Sequence, residues 1–233
     1  MQGDPDRMYA ISLTSIPPRY EKLGPVLRSL LAQSVPPDRV LLILPRDYQR
    51  FGRARTEPDV PAGVEVIWCE DDLGPAMKVL IAARRLEGSG KRLIYCDDDW
   101  LYPPHWATEL LRHDGGATCG QAWDIARIGR SGTGQDIAQG FSGVCIEPNW
   151  LSDPALCPSE IAWSVDDIWL SGQLARQGIS IQEMRPALHG LRRAFSDTDS
   201  LQNIVFQGRN RDQANRACAA EMHALYGIWP KLP

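Results

Sequence analysis

The chain has 233 residues, of which 43% are hydrophobic, and a formal net charge of −4 at pH 7. This length fits one large α/β domain better than two, and it allows a substantial buried core. The acidic balance provides no basic field for nucleic acid, so we expect no nucleic-acid partner. No apolar run approaches the length of a membrane span, so we expect no transmembrane segment.

The six cysteines are scattered without a CxxC pair, and several lie in apolar, strand-like runs. A reduced cysteine packs in such a run as a small hydrophobic side chain. We therefore expect a reducing compartment and no disulfide framework. The first six residues are polar and acidic, which is not typical of a signal peptide. Together these features predict a cytoplasmic protein.

The first half of the chain alternates apolar strands with amphipathic helices. We predict strands at 8–13, 40–44, 64–68 and 92–96, and helices at 22–34 and from after Pro75 to about 86. The two prolines of the turn at 14–19 argue against helix there, and residues 45–62 read as a surface loop. The order β-α-β-β-α-β is typical of a doubly wound sheet with a nucleotide crevice. Neither GxGxxG nor GxxxxGK[ST] is present to cradle phosphates.

The most informative stretch is residues 91–100, where an apolar strand runs into Asp97, Asp98 and Asp99. Asp is poor in strands, so we expect the chain to leave the sheet at Asp97. Three carboxylates at the end of a strand repel one another, and a bound Mg²⁺ or Mn²⁺ would neutralise them. The alternative is a solvated acidic turn whose Asp side chains cap their own backbone.

The second half of the chain has weaker patterns. We predict helices at 104–112, from Ser164 to Gly178 and at 211–226, and strands at 117–123, 125–128, 140–146 and 179–181. Residues 129–140, rich in Gly, Ser and Gln, are expected to be mobile. Ser164 is a good N-cap, and Asp167 could close a capping box with it. Capping alone would explain Asp167, and a lone His189 would ordinarily be a surface residue.

Four elements in this order resemble the GT-A glycosyltransferases, especially the family 2 and exostosin-like members. Asp97-Asp98-Asp99 is similar to the DXD motif, and residues 140–143 are similar to the glycine loop that faces the donor sugar. Asp166-Asp167 is similar to the acidic pair at a helix start, with Asp in place of the commoner Glu at the first position. His189 is similar to the histidine that completes the metal site. The turn at 14–19 also resembles the nucleotide-contacting turn of these enzymes.

The resemblance extends over roughly residues 8–195 and implies an α/β, GT-A Rossmann-like fold. In this fold a mostly parallel central sheet carries helices on both faces of a single domain, here 1–233. The nucleotide-binding half would span about 8–100, and the acceptor and catalytic half about 101–195. A C-terminal helix would span about 209–226.

The resemblance further implies transfer of a sugar from a nucleotide-sugar donor, expected to be UDP-linked, to an acceptor hydroxyl, with Mn²⁺ or Mg²⁺ as cofactor. Asp97, Asp99 and His189 are the implied metal ligands. Asp167 would be the general base of an inverting reaction, with Asp166 beside it, although a retaining reaction stays open. The residues implied to contact the donor are Thr14, Ser15, Arg19, Asp72, Lys78, Asp97, Asp98 and Gly143. The acceptor would be a glycan or a lipid-linked sugar in bacterial surface polysaccharide or glycoconjugate synthesis, with peripheral membrane association.

Two other functions stay open on the sequence. A nucleotidyltransferase would also bind a nucleotide through metal-bound Asp, but it should have a glycine-rich basic loop after the first strand, and residues 12–19 contain no glycine. A non-catalytic nucleotide-sugar or glycan-binding protein of the same fold would keep the Asp cluster without turnover.

Overall fold

A computed structural model describes residues 9–196, 201 and 205–232. The helices are α1 (Leu23–Leu31), α2 (Met77–Leu86), α3 (Trp106–Leu110), α4 (Asp166–Ala175) and α5 (Arg211–Tyr226). The strands are β1 (Tyr9–Thr14), β2 (Arg39–Pro45), β3 (Asp47–Tyr48), β4 (Gly52–Arg53), β5 (Val64–Cys69), β6 (Arg92–Tyr95), β7 (Trp100–Leu101), β8 (Ala117–Cys119), β9 (Ala122–Trp123), β10 (Ile137–Ala138), β11 (Val144–Ile146), β12 (Ile181–Glu183) and β13 (Arg192–Arg193).

Seven of these strands form one sheet in the order β12-β8-β11-β6-β1-β2-β5. The pairs β1–β2, β1–β6, β2–β5 and β8–β12 are parallel, and β11 is antiparallel to both β6 and β8. All strands of the sheet except β11 therefore run in one direction, and the prediction of a mostly parallel sheet is confirmed. Their carboxyl ends share one edge, which is where ligands bind in open α/β sheets.

Alternating side chains of β1 supply the cores on both faces of the sheet. Tyr9, Ile11 and Leu13 pack with α1 and α3 on one face, whereas Ala10 packs with α2, α4 and α5 on the other. All four side chains are at most 1% exposed. The predicted placement of helices on both faces is confirmed. No helix in the described ranges is long and apolar enough to cross a bilayer, and the six cysteines form no disulfide.

Three segments differ from the prediction for local reasons. Residues 17–22 form a 3₁₀ turn, because prolines at its first two positions need no N–H partner there. Residues 125–128, predicted as a strand, also form a 3₁₀ turn, which Asp124 caps by accepting the N–H of Ala126 at 2.7 Å. Residues 140–142 are likewise a 3₁₀ turn, so the strand there begins only at Val144.

Two segments predicted as loop or mobile contain paired strands. Within residues 45–62, β3 and β4 form a short antiparallel hairpin. Within residues 129–140, β10 pairs with β9, and buried Asp136 accepts the backbone N–H groups of Thr133 and Gly134 at 2.6 and 3.2 Å. The Asp136 carboxylate thus satisfies backbone N–H groups of the loop and orders it. The composition of residues 129–140 did not indicate this order.

Candidate active site

A cavity of about 360 Å³ opens at the carboxyl edge of the parallel strands. Thr14, Pro45 and Asp97, which end or follow β1, β2 and β6, all line it. Its size is in the usual range for a small-molecule site. Ten of the predicted site residues also line it: Thr14, Ser15, Arg19, Asp72, Lys78, Asp97, Asp98, Asp99, Asp166 and Asp167. The predicted residues Gly143 and His189 are not part of this lining.

Asp98 joins the turn after β1 to the end of β6. Its carboxylate accepts hydrogen bonds from the Ser15 hydroxyl and the Arg19 guanidinium, and only 3% of the residue is exposed. Burial raises the pKa of Asp98, and the nearby Arg19 charge opposes that rise. Both carboxylate oxygens are thus engaged by the protein, which favours a role in shaping the cavity.

Lys78 lies between the two acidic groups of the cavity. Its ammonium donates to Asp97 Oδ1 at 2.7 Å and to Asp166 Oδ2 at 3.0 Å, and 3% of its side chain is exposed. Burial alone would lower the pKa of Lys78, but the surrounding carboxylates raise it well above its ordinary value. Lys78 therefore stays charged, and it ties the start of α4 to the residues that follow β6.

Asp99 faces the cavity with its charge only partly compensated. Its Oδ2 accepts from Arg193 Nη1 at 3.0 Å, and its Oδ1 receives no hydrogen bond from any described residue. Burial, together with the charges of Asp97 and Asp98, raises the pKa of Asp99 to about 6. The backbone carbonyl of Asp99 accepts the N–H of Ala194 at 2.8 Å. This backbone bond keeps the neighbouring residue Arg193 close to Asp99.

Asp167 does not cap α4 in the predicted way. The helix begins at Asp166, and its N-cap is Val165, which makes no side-chain capping bond, so the prediction of a Ser164 cap was wrong. Asp167 Oδ1 instead accepts the N–H of Gly140 at 3.0 Å, and Oδ2 accepts no hydrogen bond from the described residues. Burial and the charges of Asp166 and Asp97 raise the pKa of Asp167 to about 7. A carboxylate in this state suits proton transfer at neutral pH.

Asp72 shapes the wall of the cavity after β5. Its two carboxylate oxygens accept the backbone N–H groups of Gly74 and Gln49, each at 2.8 Å. Its carbonyl accepts from the indole N–H of Trp163 at 3.1 Å. Gly74 has a φ of +62°, and a Cβ there would lie 2.6 Å from the Trp163 carbonyl oxygen, so only glycine allows this close approach.

The structure places Gly143 and His189 away from the predicted ligand contacts. Gly143 has a φ of +83° and faces the Trp106 ring, whose indole N–H donates to the Ser142 carbonyl at 2.8 Å. His189 is exposed and follows the 3₁₀ turn at 185–188. The donor-binding role of Gly143 and the metal-ligand role of His189 stay predictions.

We expect Gly143→Ala to lower the free energy of unfolding by about 1–3 kcal/mol, because its Cβ would overlap the Trp106 ring at a strained φ. Gly129→Ala is the matched control, since Gly129 has a φ of +78° but no described atom within 4 Å of an added Cβ. Urea unfolding of both variants measures the difference. Equal losses of unfolding free energy in the two variants would mean that backbone strain alone destabilises Gly143→Ala, without a contribution from the Trp106 ring.

The sequence did not indicate several cavity residues. Arg193 reaches Asp99 only because β13 pairs with β7, in a register that places Arg193 opposite Trp100. Arg211 lines the cavity from the first turn of α5 and donates to the Ser164 carbonyl. A basic residue in the first turn of a helix is unfavourable for the helix dipole. Its presence there is a weak sequence signal that Arg211 has a role outside the helix.

No protein-family model matches the sequence, and no curated protein matches it. Among solved structures, a mannosyltransferase from Pyrobaculum calidifontis in complex with GDP-Man and Mn²⁺ is similar, with a TM-score of 0.52 and 18% identity. The likeness covers 77% of this chain but only 56% of that protein. Glucosyl-3-phosphoglycerate synthase from Mycobacterium tuberculosis, in complex with Mn²⁺, UDP-glucose and glycerol 3-phosphate, has a TM-score of 0.54 at 14% identity, with 95% of this chain and 81% of the synthase covered.

The chain has the GT-A fold. The same synthase in complex with Mg²⁺ and UDP also has a TM-score of 0.54, at 12% identity, over 95% of this chain and 80% of the synthase. At these identities the likeness establishes the fold and not the activity. The sheet of this chain presents its Asp-lined cavity at the carboxyl edge, where ligands bind in open α/β sheets.

Proposed function

We propose that this chain is a glycosyltransferase that moves a sugar from a nucleotide-sugar donor to an acceptor hydroxyl. The observation that carries this proposal is the convergence of two acidic segments on one GT-A cavity. Asp97 and Asp99 enter it from the turn after β6, and Asp167 enters it from the start of α4. This arrangement places metal-type carboxylates beside a carboxylate suited to accept a proton.

The residues near the end of β6 fit a divalent cation by their chemistry. Among the described residues, no three His, Cys, Asp or Glu side chains are grouped in a complete metal site. Burial, together with the neighbouring charges of Asp97 and Asp98, raises the pKa of Asp99, and an added cation would relieve the repulsion among these carboxylates. Asp99 Oδ1, which accepts no hydrogen bond from the described residues, is a suitable oxygen ligand. We propose Asp97 and Asp99 as ligands of Mn²⁺ or Mg²⁺, with His189 as the third. Such an ion, when bound, would supply Lewis-acid stabilisation of the leaving diphosphate.

The donor would lie along the turn after β1 and the Asp72 wall. Thr14, Ser15 and Arg19 line the cavity from that turn, and Asp72 lines it from the end of β5. We propose that these residues, with Asp98 and Gly143, bind or shape the nucleotide site, and that the nucleotide is UDP. Lys78 would act on the donor through Asp97, since its ammonium is buried between two carboxylates.

The proposed reaction is a single displacement with inversion. The acceptor oxygen attacks the anomeric carbon, its proton passes to Asp167 Oδ2, and the bond from the anomeric carbon to the diphosphate oxygen breaks. Gly140 holds the other oxygen of Asp167, so the carboxylate is oriented before the acceptor arrives. Asp166, bonded to Lys78, would orient the neighbouring helix start and not take the proton.

The proposal is tested by incubating the protein with Mn²⁺ and a panel of UDP- and GDP-sugars, with acceptor sugars present or absent. We expect donor cleavage with at least one nucleotide sugar and inversion at the anomeric carbon, read by NMR. Nucleotide binding without any cleavage would favour a non-catalytic binding protein. Pyrophosphate release from a nucleoside triphosphate and a sugar phosphate would favour a nucleotidyltransferase.

Metal dependence gives a specific expectation for Asp99. We expect Asp99→Asn to weaken Mn²⁺-dependent binding of UDP by at least about tenfold, because a charged oxygen ligand becomes a neutral amide. Calorimetry with Mn²⁺ and with chelator measures this difference. His189→Ala tests the third ligand: a higher Mn²⁺ requirement supports that role, whereas an unchanged requirement removes it. Equal UDP affinity of the wild-type protein with and without chelator would contradict the metal site.

The pH dependence follows from the proton acceptor. Because the pKa of Asp167 is raised to about 7, its carboxylate is mostly protonated at pH 6 and mostly ionised at pH 8. A cation held beside Asp97 would remove part of the repulsion that raises this pKa, so at saturating Mn²⁺ we expect kcat to rise with pH below about 7 and then to level off. Single-turnover rates at saturating donor, acceptor and Mn²⁺ measure the profile. A flat profile from pH 5 to 8 would contradict Asp167 as the base.

The biological setting extends the same proposal. We propose that the transfer takes place in the cytoplasm, on a glycan or lipid-linked acceptor of bacterial surface polysaccharide or glycoconjugate synthesis, with peripheral association at the membrane. Sedimentation with vesicles that carry a lipid-linked acceptor, compared with acceptor-free vesicles, tests the membrane part.

A further inference from the structure

An aromatic pair lies directly beside the reacting groups. The rings of Trp100 and Phe141 are 4.8 Å apart between centroids and inclined by 33°, and both line the cavity. Trp100 follows Asp99 in the chain. Phe141 follows Gly140, whose N–H holds Asp167. Trp100 is therefore next to Asp99, the proposed metal ligand. Phe141 is next to the residue that binds Asp167, the proposed proton acceptor.

The pair is held in place before any ligand binds. The Arg193 guanidinium lies 5.1 Å from the centroid of the Trp100 ring and also pairs with Asp99. The antiparallel register of β13 with β7 sets Arg193 opposite Trp100. Neither aromatic residue is fully buried, so part of each ring surface faces the cavity. A fixed, partly exposed aromatic surface suits the apolar C–H face of a sugar ring.

A second aromatic pair lies at another part of the cavity. Tyr48 and Phe51 make an edge contact with centroids 6.3 Å apart, and the Tyr48 hydroxyl donates to the Ser15 carbonyl at 3.1 Å. This pair adjoins the turn that we assign to the nucleotide. The Trp100–Phe141 pair instead adjoins Gly140, and so the place where the acceptor hydroxyl must meet Asp167.

The charges of the cavity indicate what kind of acceptor fits there. The acidic and basic side chains of its lining are six carboxylates, Asp72, Asp97, Asp98, Asp99, Asp166 and Asp167, and five cations, Arg19, Arg50, Lys78, Arg193 and Arg211. With all ionised, this lining carries a net charge of −1. A divalent cation and a donor diphosphate carry opposite charges of about equal size, so the loaded cavity stays slightly negative.

Every one of the five cations is also engaged by the protein. Arg19, Lys78 and Arg193 pair with Asp98, Asp97 and Asp99, Arg211 donates to the Ser164 carbonyl, and Arg50 lies 4.8 Å from the Phe51 ring. An acceptor phosphate would therefore enter a slightly negative site whose cations already have partners, which disfavours its binding.

We propose that the acceptor is a neutral carbohydrate whose sugar ring packs on the exposed part of the Trp100–Phe141 pair. This inference rests on the proposed glycosyltransferase function and adds the class of its acceptor. The aromatic surface binds the sugar face, and the hydroxyl on its edge is directed toward Asp167. A free oligosaccharide and the terminal sugar of a glycolipid present the same chemistry to this surface.

The test uses wild-type protein, Mn²⁺ and the nucleotide sugar that it cleaves. Methyl glycosides of glucose, galactose, mannose and N-acetylglucosamine are compared as acceptors with their 6-phosphates. We expect a neutral glycoside to be the better acceptor, by about tenfold or more in kcat/KM. Preference for a phosphorylated acceptor would overturn the inference while leaving the glycosyltransferase intact. Absence of donor cleavage and of metal-dependent nucleotide binding would instead overturn the proposed function.

Phe141→Leu then removes the ring while keeping an apolar side chain of similar reach. We expect the acceptor KM to rise about tenfold with little change in the calorimetric affinity for UDP. Phe51→Leu is the matched control, because it makes the same change in the aromatic pair beside the nucleotide turn, and it should leave the acceptor KM unchanged. An unchanged acceptor KM in Phe141→Leu, or an equal rise in both variants, would overturn the inference.

The source of the carbohydrate is read from one further comparison. The preferred sugar is offered as a methyl glycoside and as the headgroup of a glycolipid in neutral vesicles. A similar rise in the KM of both acceptors in Phe141→Leu supports the shared sugar contact, and the ratio of the two wild-type rates identifies the source. A rise in the KM of the glycolipid alone would show that Phe141 contacts lipid, and would overturn a sugar-packing role.

Discussion

Asp167→Asn is expected to lower the rate of sugar transfer by about 10²–10⁴-fold, the usual contribution of a general base. Asparagine keeps the shape of the side chain, and its amide oxygen can still accept the Gly140 N–H that Asp167 accepts at 3.0 Å. What the change removes is the group that we propose accepts the proton of the acceptor hydroxyl. Single-turnover kinetics at saturating donor measure the rate, and calorimetry with UDP is expected to give nearly unchanged affinity.

Stability separates this catalytic loss from damage to the fold. The raised pKa of Asp167 means that the folded protein holds its proton more tightly than the unfolded chain does. The stability linked to this proton is present below about pH 4 and is lost as the pH rises through about 7. At pH 8, Asp167→Asn should therefore melt at the same temperature as the wild type or higher.

Asp166→Asn is the neighbouring control for the same experiment. Asp166 accepts from Lys78 at 3.0 Å and is only 6% exposed, and we propose that it holds the helix start. We expect it to lose stability and to show a milder loss of rate than Asp167→Asn. A nearly wild-type rate for Asp167→Asn would remove that residue from the mechanism and favour Asp166, or a retaining reaction without such a base.

Lys78→Met is expected to lower the free energy of unfolding by about 3–5 kcal/mol at pH 8, because it leaves a buried carboxylate without its cation. Asp166 bears most of this loss, since its side chain is 8% exposed, whereas that of Asp97 is 37% exposed and can be hydrated. For a chain of this size the loss corresponds to a fall of about 6–20 °C in the melting temperature. Thermal unfolding followed by circular dichroism measures it.

The double variant Lys78→Met with Asp166→Asn tests the origin of that loss. Removing both charges leaves only the more exposed Asp97 without its cation, so we expect the double variant to be more stable than Lys78→Met alone. Equal stability of the single and double variants at pH 8 would contradict the ion-pair account of Lys78.

Much of the sheet could be predicted because its strands are short buried runs between turn residues. The predictions at 40–44, 64–68 and 92–96 agree with β2, β5 and β6 to within one or two residues at each end. The failures lie where a side chain or a single glycine decides the backbone. Asp124 caps the turn at 125–128, and Asp136 organises the loop that precedes β10.

The candidate site was predictable in its acidic residues and not in their partners. Asp97 and Asp99 stand out because three consecutive carboxylates directly follow a strand, where Asp is disfavoured. Asp167 was singled out only by the resemblance of residues 166–167 to the acidic pair of GT-A glycosyltransferases. Arg193 was not predicted, because it lies 94 positions from Asp99 and no local pattern connects the two. The capping interpretation of Asp167 was reasonable from spacing alone, and only the position of Gly140 shows where its oxygen points.

The sequence by itself determined the class of the fold, the order of its elements and the acidic residues at the edge of the sheet. These properties follow from hydrophobic period and from residue types at strand and helix ends, which are local. Only the tertiary structure decided that Lys78 joins Asp97 to Asp166 and that Trp100 meets Phe141. Such contacts join residues 19 to 88 positions apart, as in the two Lys78 bonds, and they depend on strand register and helix packing. The environment that raises the pKa of Asp167 exists only once those segments have come together.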